Sequence, residues 1–201
     1  MKIIGLTGPS GAGKGFCCGY FESLDIPCLD TDDIYHKLLI PPSACVKELV
    51  ENFGNIILNE HGGINRKILG EIVFTDKSGK KLDLLNRITH KYVLVETKRM
   101  LDKYKNDGKI AVVVDAPLLF EADFDKFCNF SIAVISDKST RVERIMERDA
   151  ITKDVALMRI QSQKKDEFYT SRANYTVSNN TDVFSLNRQL ESILKKEKII
   201  N

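Results

Sequence analysis

The sequence predicts an α/β fold, a parallel sheet of about five strands flanked by helices and interrupted by a helical insertion. Three observations predict it. Short apolar runs alternate with longer amphipathic ones along the 201 residues, the pattern of strands joined by crossover helices. Two runs, 110–114 and 130–135, are apolar and rich in β-branched residues, as strands buried on both faces are. The stretch from about 33 to 105 carries helical patterns and no convincing strand.

In order, 2–7 reads as a strand and 14–24 as a helix, followed by a short strand at 26–29 and a helix at 33–39. Pro41-Pro42 breaks that pattern, and Ser43 is placed to cap a new helix running through Phe53. Gly62-Gly63 marks a turn before 65–74, where Ile68, Leu69, Ile72 and Val73 follow helical spacing. The longest helical pattern covers 80–105, through Leu82, Leu85, Ile88, Tyr92, Val93 and Met100. After the strands at 110–114 and 130–135 come helices at 139–148 and 153–163, a last strand at 175–178 and a C-terminal helix. Its Lys195-Lys196-Glu197-Lys198 reads as a solvated helix end. The predicted division is a core of 1–32 and 107–201, with a lid at about 138–172, and a helical acceptor domain at 33–106.

Bulk properties narrow the function classes. The chain is 43% hydrophobic and 29% charged, ordinary for a soluble enzyme. Its 30 basic residues nearly balance 28 acidic ones, which argues against a nucleic-acid partner held by a large basic surface. The five cysteines are odd in number and form no C-x-x-C pair, so neither a disulfide framework nor a zinc site is expected. The N-terminus is too short for a signal segment before its glycine motif, and no apolar stretch approaches membrane-spanning length. A soluble, cytoplasmic protein with no membrane partner is the expectation.

Gly8-Pro9-Ser10-Gly11-Ala12-Gly13-Lys14-Gly15 matches G-x-x-x-x-G-K between a predicted strand and a predicted helix, the context of a phosphate-binding loop. Glycines let successive N–H groups curl inward, the helix start adds its positive dipole end, and Lys14 reaches the outer phosphates of ATP. Gly11, Ala12, Gly13, Lys14, Gly15 and Phe16 are therefore the candidate nucleotide contacts, and the fold class narrows to a P-loop NTPase fold. One departure stands out: Gly15 and Phe16 supply no hydroxyl for Mg²⁺. Adenylate kinases also carry Gly-Lys-Gly here, where water completes the metal's coordination.

Ligands of parallel sheets bind beyond the carboxyl ends of the strands. Asp115, closing 110–114, suits the water shell of Mg²⁺ without direct ligation, or is a turn carboxylate before Pro117. Asp32, in Asp30-Thr31-Asp32, could take a proton from an incoming hydroxyl, or cap a helix. Arg141, Arg144 and Arg148 share helical spacing, followed by Asp149, Arg159 and Gln163. Such a face either closes over ATP or is a solvated helix paired to Glu143 and Glu147.

Together these pieces resemble the dephospho-coenzyme A kinase family from Ile3 to about Asp182. Gly5-Leu6-Thr7-Gly8 opens the loop as there, and Asp30-Thr31-Asp32 is similar to its Asp-Ala-Asp, whose second acid is taken as the base. Gly63-Ile64-Asn65-Arg66 resembles Gly-x-Leu-Asp-Arg with Asn65 for the acid. Leu85-Asn86-x-Ile88-x-His90 fits with Lys91 where Pro is usual. Asp115-Ala116-Pro117-Leu118-Leu119-Phe120-Glu121 is the most specific segment. Arg144, Arg148-Asp149 and Arg159-Ile160-x-x-Gln163 look like the lid, and Asn180 like the asparagine near the adenine pocket, with Asp182 where glycine is usual.

The resemblance implies phosphorylation of the 3′-hydroxyl of dephospho-coenzyme A by ATP with Mg²⁺. Asp32, Lys14 and Arg148 would be catalytic, Arg144, Arg148 and Asn180 would contact the nucleotide, and Thr7, Asp32, Arg66, His90 and Asp115 the acceptor. For Arg66 and His90 a surface ion pair and a hydrogen-bonded core histidine remain open. Tyr35, His36 and Phe74 either line the acceptor pocket or pack in the core. Rival readings are another small-molecule kinase and a non-catalytic nucleotide-binding protein.

Overall fold

In a computed structural model, which describes residues 1–201, the chain forms one five-stranded sheet and nine α-helices. In order these are β1 (Lys2–Thr7), α1 (Lys14–Ser23), β2 (Cys28–Asp30), α2 (Thr31–Leu38), α3 (Ala44–Phe53), α4 (Arg66–Phe74) and α5 (Lys80–Asn106). Then follow β3 (Ala111–Asp115), β4 (Phe130–Ile135), α6 (Lys138–Asp149), α7 (Lys153–Gln161), α8 (Asp166–Thr170), β5 (Tyr175–Ser178) and α9 (Val183–Lys196). Two compact units result, Met1–Asp30 with Lys103–Asn201, and Thr31–Asp102.

The first unit contains the sheet, ordered β2-β3-β1-β4-β5 with every pair parallel. Alternate residues along each strand, Ile4 and Leu6, Ala111 and Val113, Phe130, Ile132 and Val134, form one face of the core. They pack with Cys17 and Phe21 of α1 and Leu186, Leu190 and Leu194 of α9. This is the period-2 pattern of a sheet meeting the apolar stripes of two helices. Phe21 is fully buried, and truncating it to Ala would cost about 3–5 kcal/mol. On the opposite face Gly5 lets Leu119 and Cys128 approach, since a Cβ there would stand 3.0 and 3.1 Å from them.

Several boundaries move for identifiable reasons. The second strand starts at Cys28 rather than 26, because Pro27 has no N–H and contributes only its carbonyl, which accepts from Val113 N. Ile110 lies outside the ladder and is 57% exposed, while Asp115 is the ladder's last residue instead of following it. The helix expected at 33–39 starts at Thr31, so Asp32 belongs to its first turn and is not its cap. Beyond α7 the short helix α8, which the sequence pattern does not reveal, lies within the span expected to be a lid. The C-terminal charges are not simply solvated: Glu197 accepts from Lys2 Nζ at 2.8 Å and from the Tyr175 hydroxyl at 2.7 Å.

The second unit is helical around Leu39, Leu49, Ile57, Leu69, Val73 and Ile88. Ser43 caps α3, its Oγ accepting from Cys45 N and Val46 N, and Asn65 caps α4 through Lys67 N and Ile68 N. No helix of the molecule is long and apolar enough to cross a membrane.

Candidate active site

The loop after β1 owes its shape to three glycines at positive φ. Gly8 (φ 143°) crosses β4, where a Cβ would lie 2.2 Å from the Val134 carbonyl oxygen. Gly11 (φ 79°) runs against the Arg141 carbonyl, 2.8 Å from a built Cβ. Gly13 (φ 99°) turns the chain into α1, and its Cβ would stand 2.0 Å from Asn179 Nδ2. Any side chain at these positions meets both an unfavourable backbone and an occupied volume. Lys14 is the first residue of α1, so its ammonium and the N–H groups of the helix start belong to one anion-attracting locus.

A polar web from α6 and the β5–α9 connection holds this loop from behind. Arg144 donates to the carbonyls of Gly11 and Ala12, both at 3.3 Å, and to Asn179 O at 3.1 Å. Asn179, buried, donates from Nδ2 to Ala12 O at 2.9 Å. By drawing the loop's carbonyls to the rear, these contacts direct its amides the other way. Asn179 is a residue the sequence reading missed: nothing in an Asn-Asn pair says which one faces a loop 167 positions away. Its neighbour Asn180 is exposed and accepts through Oδ1 from Ser136 Oγ and Asp137 N, at 2.9 and 2.7 Å.

The arginines divide by depth. Arg141 is only 5% exposed and pairs with Asp166 at 3.2 Å. Burial pulls its guanidinium down from the usual range while Asp166 raises it. Arg148 is exposed, clamped to Asp149 at 2.8 and 3.0 Å, and donates to Ser10 Oγ at 3.3 Å. Arg159 pairs with the same carboxylate. Hydrogen bonding from Arg148, with Arg159 assisting, holds the Asp149 carboxyl down at about 2. The ion pairs of this segment thus run to Asp166 and Asp149, not to Glu143 and Glu147.

At the sheet's carboxyl edge Asp115 is in register with Asp30 on one side and Leu6 on the other. Lys14 Nζ lies 3.8 Å from Asp115 Oδ1 and Cys18 Sγ lies 3.8 Å from Oδ2. Residues 14 and 18 are one helical turn apart, so both reach the same carboxylate. The Lys14 contact exceeds hydrogen-bond length, so charge and not a hydrogen bond holds its ammonium beside Asp115. Thr7 is fully buried and its hydroxyl donates to Pro117 O at 3.4 Å. Gly15 is exposed with nothing within 4 Å of a built Cβ, and Phe16 is 57% exposed.

In the helical unit Asp32 and Arg66 are exposed, and Arg66 donates to His36 Nε2 at 2.8 Å. Because guanidinium only donates, Nε2 is the acceptor and the ring proton sits on Nδ1. Tyr35 lies against His36 with ring centroids 5.7 Å apart. Burial first, and then Cys45, push the Tyr35 hydroxyl up; the field of Arg66 opposes this and that of Asp32 adds to it. Asp32, Tyr35, His36 and Arg66 therefore share one electrostatic neighbourhood. His90 is half-buried on α5, and burial holds its imidazole below the usual histidine range. The core alternative fails for Phe74, 76% exposed at the end of α4, where its ring lies over Gly70 outside the apolar cluster. Asn65 keeps the capping role that Asp would have, and Lys91 pairs with Glu48 beside Tyr92.

Comparison with known proteins identifies the relatives of this arrangement. A sequence profile described as dephospho-CoA kinase matches residues 2–184. A dephospho-CoA kinase of Lactobacillus johnsonii is 37% identical, with 96% of this chain and 97% of the relative covered. The solved dephospho-CoA kinase of Campylobacter jejuni superposes with a TM-score of 0.69 at 26% identity, covering 98% of each chain. A shikimate kinase of Acinetobacter baumannii superposes at 0.56 with 15% identity, covering 100% of this chain and 96% of its own, a likeness of fold alone.

Proposed function

The chain belongs to the dephospho-CoA kinase family, and from that premise we propose how its own residues transfer a phosphoryl group from ATP to the 3′-hydroxyl of dephospho-coenzyme A, giving coenzyme A and ADP in the cytoplasm. The observation that carries the reading is the loop from Gly8 to Gly15, whose carbonyls are drawn backward by Arg144 and Asn179. A loop so held presents its amides to phosphate oxygens without reorganising as charge develops.

Lys14 and the start of α1 take the outer phosphates, with Gly11, Ala12, Gly13, Gly15 and Phe16 as the remaining nucleotide contacts. Arg148 neutralises charge that spreads over the transferring group. Arg144 acts from behind the loop, and Asn180 orders the β5–α9 connection beside the base. Asp32, an exposed carboxylate in the first turn of α2, orients the acceptor hydroxyl and takes its proton. The residues from Thr31 to Asp102 bind the acceptor: Arg66 matches its phosphates, and Tyr35, His36 and His90 line its path. Closure of the α6–α8 segment keeps water from competing with the acceptor hydroxyl.

Residues present at the strand tip fit a magnesium ion held through water. Asp115 offers a hard carboxylate, whereas Gly15 and Phe16 offer no hydroxyl, and no cluster of three metal-ligating side chains exists. When bound, the ion would neutralise phosphate charge. No nucleic acid or membrane partner is invoked.

A coupled assay of ADP release over dephospho-coenzyme A, AMP and nucleosides tests the reading. Turnover with dephospho-coenzyme A is expected. Turnover with AMP alone would replace it by a nucleotide kinase, and ATP binding without any acceptor phosphorylated would make the chain a non-catalytic nucleotide binder.

A further inference from the structure

Within the phosphate loop the N–H of Ala12 donates to Pro9 O at 3.2 Å, closing a turn with Ser10 and Gly11 at its centre. The central residues of such a turn spend neither N–H nor C=O on it, so Ser10 needs partners elsewhere. All three of its polar groups find them on the segment from α6 to the residues after α7. Its N–H donates to Gln163 Oε1 at 3.1 Å, its carbonyl accepts from Arg141 Nε at 3.0 Å, and its hydroxyl accepts from Arg148 at 3.3 Å. Arg141 also donates to Gln163 Oε1 at 3.0 Å, so the two side chains grip the Ser10 backbone as one unit.

The contacts do different work. Arg141 and Gln163 bind main-chain atoms that any residue but proline would present. Only the hydroxyl depends on Ser10 being serine, and its partner is the arginine assigned to the transferring group. Arg148 is otherwise anchored on one side, by Asp149. A guanidinium held from one side can swing about that anchor, and the second contact limits the swing.

We propose that Ser10 is a positioning residue, its hydroxyl fixing the Arg148 guanidinium over the phosphate loop while its backbone seats the α6–α8 segment through Arg141 and Gln163. The inference rests on the assignment of Arg148 to the transferring phosphoryl group. Removing the hydroxyl should therefore lower kcat and leave ATP binding nearly intact, since the loop's amides and Lys14 are untouched.

The test compares wild-type enzyme with Ser10→Ala, Ser10→Thr, Arg148→Ala and the Ser10→Ala/Arg148→Ala double variant, measuring kcat with saturating dephospho-coenzyme A and Kd for ATP. Ser10→Ala is expected to lower kcat about tenfold with Kd changed less than about threefold. Ser10→Thr, which keeps the hydroxyl, should recover most of that loss. In the Arg148→Ala background the serine substitution should add little, because both changes remove the same placement. An unchanged kcat for Ser10→Ala, a Thr variant as slow as the Ala variant, or multiplicative losses in the double variant would each overturn the proposal. Full turnover by Arg148→Ala would overturn the arginine's role first and this inference with it. A slow Arg148→Ala beside a normal Ser10→Ala would remove the inference alone.

Discussion

The two units handle their candidate residues in opposite ways. Around the phosphate loop, Arg141, Arg144, Asn179 and Gln163 tie side chains to main-chain atoms, and two of the four are buried. In the helical unit Asp32, His36 and Arg66 are exposed, joined by the Arg66–His36 contact and by the fields that meet at Tyr35. The phosphate tail of a nucleotide is the same in every turnover and gains from a site rigid before it arrives. A long acceptor with several parts is better met by exposed groups that adjust, at the cost of ordering them on binding. Substitutions of the groups that hold the loop's main chain should therefore disturb donor binding or stability, and those in the second unit should disturb acceptor use.

The sharpest tests separate chemistry from binding. Asp32→Asn, isosteric but unable to take a proton, should lower kcat by about 10²–10⁴-fold with ATP affinity preserved, read from steady-state turnover and nucleotide titration. Near-normal turnover would remove Asp32 as the base. Lys14→Ala should cost about 10²–10³-fold in kcat/KM for ATP, with part of the loss in nucleotide affinity. If Lys14→Ala changed only the acceptor KM, the contrast between the units would collapse.

Arg144→Ala probes the web behind the loop. Three carbonyls lose a charged donor, for which about 2 kcal/mol of stability is a fair total at this half-buried position. In a chain of this size that lowers Tm by about 4–8 °C. The loosened loop should also weaken ATP binding about tenfold, measured by calorimetry, while acceptor KM stays put. Arg66→Ala should do the reverse on a smaller scale. KM for dephospho-coenzyme A should rise about three- to tenfold, with Tm and ATP affinity unchanged, as befits an exposed arginine whose partner is His36. A matching rise in ATP KM would show that the units do not divide the substrates.

Legibility in the sequence follows the same divide between local and distant causes. The strands were readable because β-branched apolar runs bury both faces, and the glycines of the loop because each answers a local backbone demand. The start of the second strand was misread by two residues, since periodicity counts Ile26 as apolar but not the missing amide of Pro27. α8, five residues long, is too short for any periodicity. Ser10 and Asn179 were invisible as site residues for a different reason: their partners lie 138, 153 and 167 positions away, and no spacing rule spans such distances. The spacing of Arg144 left a face over ATP and a solvated helix both open, and only the family resemblance pointed it at the nucleotide; neither could say that it would grip the loop's carbonyls from behind.

The smallest expected effect concerns pH. All three histidines, His36, His61 and His90, lie between Thr31 and Asp102. Burial favours the neutral form of His90 and depresses its pKa. The unfolded chain therefore takes up the proton first as pH falls, and protonation favours unfolding. The contribution is fully present above the ordinary histidine value near 6.5. It declines as pH falls through that value towards the depressed folded one, and is constant below both. Amide exchange should thus quicken in peptides of α4 and α5 between pH 7.5 and 5.5, after correction for intrinsic rates, while peptides of β1, β3 and β4 keep their protection. His90→Asn should abolish much of that difference, because an amide of similar polarity takes up no proton in this range. Equal quickening in both units, or a difference that survives His90→Asn, would show that the imidazole's burial does not set the acid sensitivity of the helical unit.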